Sequence, residues 1–306
     1  MLNKTVTSEK QLLSGIGLAI LGIVLFSSKA VFVKYAYTNY TVKPLDLLGF
    51  RMAFSLPAYL VILWRSKVVQ PALVKRKDWI YLILLGCLGY YVASYFDFLG
   101  LQYVKASIER IILFIYPTFV LLINRWFLKI PITPRQIIAI LLTYLGVLVT
   151  FWVDLDLEGQ QILVGGALIM VSAVTYAVYL VGSGWYIPKF GTQKFTALTM
   201  TAAASAVFLH FLLENGFQLP YYPAGVYMIG IMIAVFATVL PSFLISEAIK
   251  RIGSSQFSII AGLGPFSTIL LATIFLGESL TILQILGTVL VIVGIIFSTE
   301  KMKKND

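Results

Sequence analysis

Eight ionisable side chains lie inside long apolar runs: Lys29, Arg51, Asp97, Glu109, Arg110, Arg125, His210 and Glu247. Such a group within a membrane span costs about 2.5–3.5 kcal/mol on insertion scales, so each needs a partner or a purpose. Three have local explanations. Arg125 falls near the inner end of its run and can snorkel to the headgroups. Glu247 precedes Lys250 and Arg251 by three and four residues, a spacing that pairs charges on one helix face. His210 has Glu214 one turn later, which reads as an interfacial pair; the other reading is a proton relay. Lys29, Arg51, Asp97, Glu109 and Arg110 remain. Counting along each run places all five in the outer half of the membrane and in the first half of the chain. Near the matching positions of Lys29, Glu109 and Arg110 the second half has Tyr179, Phe257 and Ser258. Three cations against two anions suit a carboxylate or a phosphate, and arginine is the better fork for either. The alternative is a self-satisfied network that locks the first four helices together. Neighbouring helical residues point about 100° apart, so Glu109 and Arg110 cannot both face one partner helix, and one of them faces the space between the halves.

Aromatic residues Tyr90, Tyr91, Tyr95, Tyr116, Tyr176 and Tyr179 can line a pocket for an organic solute or pack between helices. Pro117 and Pro265 sit about ten residues into their runs, where each removes a backbone hydrogen bond and favours a kink. Gly262 and Gly264, in "GLGP" before Pro265, loosen that helix further. These four positions are the candidate hinge. The chain has no GxxxxGK[ST] loop, no HExxH and no GxSxG. With one His and one Cys, no zinc or thiol–imidazole site is expected. Asp97 and Glu109 lie too near the expected outer face to form a carboxylate dyad. No cofactor, metal or catalytic residue is expected, and the chain is not read as an enzyme.

The elements that must carry these residues follow from composition. Of 306 residues, 59% are hydrophobic and 12% charged, about half the charged fraction of a soluble chain. The bilayer is therefore the solvent. Apolar runs at 13–37, 44–64, 79–99, 107–127, 135–153, 161–183, 195–213, 225–248, 255–276 and 281–299 predict ten spanning helices. The net charge of +10 is no nucleic-acid signature, because the basic residues cluster in alternate short connections. With both termini in the cytoplasm, the inner connections hold Arg65, Lys75, Arg76, Lys77, Lys189, Lys194, Lys250 and Arg251. The outer ones hold the acidic run Asp154, Asp156 and Glu158. Trp64, Trp79, Trp126, Trp152 and Trp185 fall at predicted helix ends, where an amphipathic ring suits the interface.

Sliding the chain by 148 positions lays Ser107 on Ser255, Pro117 on Pro265, Gln136 on Gln284 and Gly146 on Gly294. Five spans per half is an odd number, so the halves enter the membrane in opposite senses. That is an inverted-topology repeat, divided here as 1–153 and 154–306. The stretches "YVKASIERIILFIYPTFVLLINRWFLKIPITPRQIIAILLTYLGVLVTF" and "RIGSSQFSIIAGLGPFSTILLATIFLGESLTILQILGTVLVIVGIIFST" resemble the two EamA domains of the drug/metabolite transporter superfamily. The second copy matches better, with "GP", "FLGESLT" and the paired glycines Gly287 and Gly294. The first departs from it at Lys129, Ile130 and Pro131 and at Glu109 and Arg110.

The resemblance implies an all-α integral membrane fold of ten helices in two five-helix inverted repeats. Helices one, three, four, six, eight and nine would surround the cavity, with five and ten outside. It implies a secondary transporter in a bacterial-type inner membrane, exporting a small metabolite such as an amino acid or related carboxylate. Transport would proceed by rocking about Pro117 and Pro265, with coupling to a proton or a counter-substrate, in a monomer or homodimer. From placement and charge alone, and not from the resemblance, Lys29 and Arg110 would hold an anionic group, and Glu109 or Asp97 an amine or a proton. Two alternatives stand beside this reading: an organic-phosphate or nucleotide-sugar anion exchanger of the same superfamily, and a non-transporting membrane scaffold or enzyme.

Overall fold

The computed structural model describes residues 9–104, 109, 112–127, 129, 131–151, 159–216, 221–276 and 282–303. Arg110, Trp152 and the acidic run Asp154, Asp156 and Glu158 lie outside them. Helices account for the architecture: α1 (Glu9–Asn39), α2 (Pro44–Arg65), α3 (Arg76–Tyr103), α4 (Tyr116–Phe127), α5 (Pro134–Phe151), α6 (Gly159–Phe190) and α7 (Thr192–Asn215). They continue as α8 (Ala224–Ile252), the two-part α9 (Ser254–Ile260 and Leu263–Leu276) and α10 (Ile282–Lys303). Among the described residues six helices, α1, α2, α3, α6, α7 and α8, are long and apolar enough to cross a membrane; a bent pair, α9, would make a seventh.

The helix ends follow the sequence chemistry. Lys43 precedes Pro44 and is extended, with ψ 145°, because the proline ring excludes the helical region from its predecessor. Pro44 then opens α2, where its missing N–H costs nothing. Asp78 caps α3 by accepting from the Lys75 backbone N–H at 3.0 Å.

α3 and α8 each widen into a π-helical segment, Cys87–Val92 and Val235–Val239. The two segments begin 148 positions apart, the same offset that aligns the two halves of the sequence. The Thr238 hydroxyl donates to the Ile233 carbonyl, five residues back, at 2.9 Å. A side chain thus answers a carbonyl in the widened turn.

Packing pairs α1 with α8 and α9, α6 with α3 and α4, α2 with α7, and α5 with α10. The α5–α10 contact is close because of two glycines. A Cβ on Gly146 would stand 2.6 Å from the Gly287 carbonyl, and one on Gly294 would stand 2.9 Å from the Ala139 carbonyl. These two contacts are again 148 positions apart on each side. Small residues let helix backbones meet where no water drives the association.

The proline expectation needs adjusting. α4 and α9 are broken before their prolines rather than kinked at them. Phe114 and Ile115 form a turn ahead of α4, and Ala261 and Gly262 form the turn within α9, where the two parts meet at about 40°. Pro117 and Pro265 then fall in the first turn of the following segment. There a proline removes no intrahelical bond, so breaking the helix just upstream is cheaper than kinking it.

Candidate functional site

The α3 stripe Ser94, Asp97 and Phe98, at positions i, i+3 and i+4, faces inward and is buried. Two cations arrive on it from other helices. Lys29 of α1 forms a buried ion pair with Asp97 and lies 5.3 Å from the Phe26 ring centroid. Arg51 of α2 is 0% exposed. Its Nη1 donates to Ser94 Oγ at 2.9 Å, its Nε donates to Thr238 Oγ1 at 2.7 Å, and its guanidinium carbon lies 5.9 Å from the Phe98 centroid. Its Nη2 is buried and has no hydrogen-bond partner among the described residues. Both neutral partners belong to the π regions, Ser94 just beyond the segment of α3 and Thr238 within that of α8. Glu109 is also fully buried.

Below this charged layer lies an aromatic one. Tyr176 of α6 stacks on Phe26 at 6.0 Å and meets Tyr116 edge-on at 5.3 Å. Tyr176 also stacks on Tyr179 at 6.1 Å, and Tyr179 meets Tyr90 edge-on at 4.9 Å. A cavity of about 30 Å3 opens against Phe26, Ser27, Tyr116, Tyr176, Phe257 and Pro265. That is room for about one water molecule and none for an organic solute. The Ser27 hydroxyl donates to the Gly264 carbonyl at 3.1 Å and so ties α1 to the broken part of α9. Gly264 and Pro265 line the cavity, and Gly262 lies in the turn beside it.

Polar links run across the end of the bundle that carries Lys189, Lys250 and Arg251. The Asn124 amide donates to Ser255 Oγ at 2.8 Å, joining α4 to α9. Arg251 donates to Ser14 Oγ at 2.7 Å and to Glu247 at 2.9 Å, while Thr192 donates to Glu247 at 2.7 Å. Glu247 therefore pairs on its own helix, as its spacing predicts.

The expected site residues thus divide. Lys29, Arg51 and Asp97 meet on α3, and Tyr176 and Tyr179 join the aromatic layer. Tyr91 and Tyr95 do not join them. Tyr91 lies 3.1 Å from His210 Nδ1, Tyr95 packs on the His210 ring at 4.8 Å, and Glu214 stands 3.9 Å from that ring. Ser94, Thr238, Phe26 and Ser27 were not singled out by sequence. The doublet Ser27-Ser28 before Lys29, in an otherwise apolar run, was the signal for Ser27. Nothing in the residue types announces a π segment.

The EamA-like transporter family model matches residues 13–152 and again 163–299. This chain belongs to the EamA-like transporter family. The EamA-like chain is 31% identical over 300 residues to an uncharacterized transporter, YcbK, of Bacillus subtilis, covering 94% of each chain. It is 25% identical to a second, YyaM, from the same organism, over 90% of this chain and 91% of that one. An uncharacterized transporter of Archaeoglobus fulgidus is 24% identical, over 93% and 96%. A solved crystal structure, 15% identical in sequence, superimposes with a TM-score of 0.75 over 96% of this chain and 99% of that one. At that identity the likeness speaks to the fold.

Proposed function

We propose that this EamA-like chain is a secondary transporter that exports a small organic metabolite bearing a carboxylate, of the amino-acid class, by alternating access. The observation that carries the substrate class is Arg51: a buried guanidinium whose Nε and Nη1 are held by neutral hydroxyls while Nη2 has no hydrogen-bond partner among the described residues. A guanidinium held by neutral hydroxyls keeps its charge to offer to a carboxylate oxygen. The aromatic layer beneath it suits the rest of an organic solute.

The layout read here is ten spans in two inverted five-helix repeats, with Lys189, Lys250 and Arg251 on the cytoplasmic side of a bacterial-type inner membrane. The paired π segments and the mirrored α5–α10 glycine contacts, each at the 148-residue offset, support the repeat. The narrowness of the cavity supports alternating access, since a solute enters only when its walls part. Pro117, Gly262, Gly264 and Pro265 are the pivots of that parting. Coupling would be to a proton or a counter-substrate.

The test is flux in proteoliposomes against a panel of amino acids, organic acids and sugar phosphates, with wild type beside Arg51→Met. Carboxylate-dependent efflux that falls at least about tenfold in the variant, with a melting temperature kept within a few degrees, is the expected result. Flux that appears only with a phosphorylated counter-substrate would replace the carboxylate reading with anion exchange. No substrate-dependent flux at all would end the transport reading.

A further inference from the structure

A second concavity lies at the basic end, away from the charged layer. It is a groove of about 760 Å3 between α3, α4 and α6. Its wall is hydrocarbon: Leu85 from α3, Ile123 and Phe127 from α4, Val178 and Val181 from α6. Its mouth carries Lys75, Lys77 and Lys189, with the rings of Tyr81, Trp185 and Tyr186 at the same level. Trp185 is 52% and Phe127 76% exposed, so the groove opens sideways, where lipid chains run.

The charge at the mouth is unbalanced. Asp78 is the carboxylate there, and it is already engaged. It accepts from the Lys75 backbone N–H at 3.0 Å and stands 3.5 Å from Lys189 Nζ. Lys189 is further held 5.2 Å over the Tyr186 ring. Among the described residues no carboxylate pairs with the side chains of Lys75 and Lys77. Two exposed ammonium groups therefore stand above a deep apolar slot.

We infer that this groove binds one anionic glycerophospholipid of the adjacent leaflet, its phosphate held by Lys75 and Lys77 and one acyl chain laid along Leu85, Ile123 and Val178. The two halves of the site match the two halves of such a molecule. A soluble phosphate would use the lysines and leave the slot unexplained. A zwitterionic phospholipid would bring a choline cation beside its phosphate, and that cation offsets the attraction of the two ammonium groups. Basic residues next to the membrane surface attract anionic headgroups, and aromatic rings sit at the headgroup level. The lipid would splint α3 to α4 and α6, three of the helices around the aromatic layer.

The test is native mass spectrometry of the detergent-purified full chain. Phosphatidylglycerol and phosphatidylcholine of matched acyl chains are added in equal amounts. The wild type should hold phosphatidylglycerol adducts in about tenfold excess over phosphatidylcholine, and Lys75→Gln with Lys77→Gln should bring that ratio close to one. Lys250→Gln, at the same end but outside the groove, should keep the wild-type ratio. Equal binding of the two lipids by wild type would overturn the inference, as would a preference that survives the double substitution. Displacement of the lipid by millimolar glycerol 3-phosphate would also overturn it, because the ligand would then be the phosphate and not the lipid. Both lysines are exposed on helix-end backbone, so the double variant keeps the fold and the readout remains meaningful.

Discussion

Arg51 on α2 donates through Nε to Thr238 Oγ1 on α8 at 2.7 Å, and this bond joins the two halves of the chain at full burial. The partner is a hydroxyl and not a carboxylate. Among the described residues no carboxylate is in contact with the guanidinium, which therefore bears much of its desolvation cost unpaired. Removing a neutral partner should cost more than removing the charge itself. Thr238→Val leaves a buried donor unmet and should lower stability by about 1–3 kcal/mol. Arg51→Met removes the buried charge along with its bonds and should cost less than that. Thermal unfolding of the two variants in one detergent checks the order; an Arg51→Met protein that melts well below Thr238→Val refutes it.

The Lys29–Asp97 pair makes a different claim. Here both charges are buried and in contact. Asp97→Asn should destabilise by about 3–5 kcal/mol, because it removes the carboxylate in contact with the buried Lys29 ammonium. Adding Lys29→Met to that variant should recover a large part of the loss. A double-mutant cycle in thermal unfolding measures it, and additive single effects would mean that the two groups do not interact.

The α5–α10 seam predicts a symmetrical response. Gly146→Val and Gly294→Val each push a side chain into a backbone carbonyl of the other helix. Each should cost about 1–3 kcal/mol, and by similar amounts. A Cβ on Gly17 would meet nothing within 4 Å, so Gly17→Ala is the control and should be neutral or slightly stabilising. Unequal losses at the two seam glycines would show that the contacts are not equivalent.

His210 sits with Tyr91, Tyr95 and Glu214, and none of these lines the aromatic cavity. His210→Gln should therefore leave flux within about twofold and the pH profile of flux unchanged. A flattened pH profile would restore His210 as a proton relay.

Different residues are legible in the sequence to different depths, for physical reasons. Helix existence was legible because apolar runs of span length have few other uses, and α1, α2 and α7 lie close to the expected spans. Lys29 and Asp97 were legible because a buried charge is expensive, although their pairing across α1 and α3 was not. The π segments were not legible. A single extra residue in a helical turn leaves no mark on an apolar pattern, yet it sets the positions of Ser94 and Thr238 and hence the hold on Arg51. The prolines misled in register alone. A proline tolerated in a first turn and a proline that kinks a helix look alike until the break upstream is known. Tyr91 and Tyr95 read as pocket or packing residues because they are aromatic and lie within an apolar span; the face they occupy turns them toward His210.

Two connections at the basic end are a single residue long. Gly191 alone separates α6 from α7, and Gly253 alone separates α8 from α9, with φ of 82° and 79°. A left-handed glycine makes such a sharp reversal possible. It also leaves no slack for a protease to seize or for an inserted sequence to occupy. The stretch 66–75 between α2 and α3, largely exposed and interrupted by one short turn of helix, is of another kind. A peptide epitope grafted there can be read by antibody or nicked by protease, and doing so from either side of sealed vesicles reports which compartment the lysine-rich face looks into.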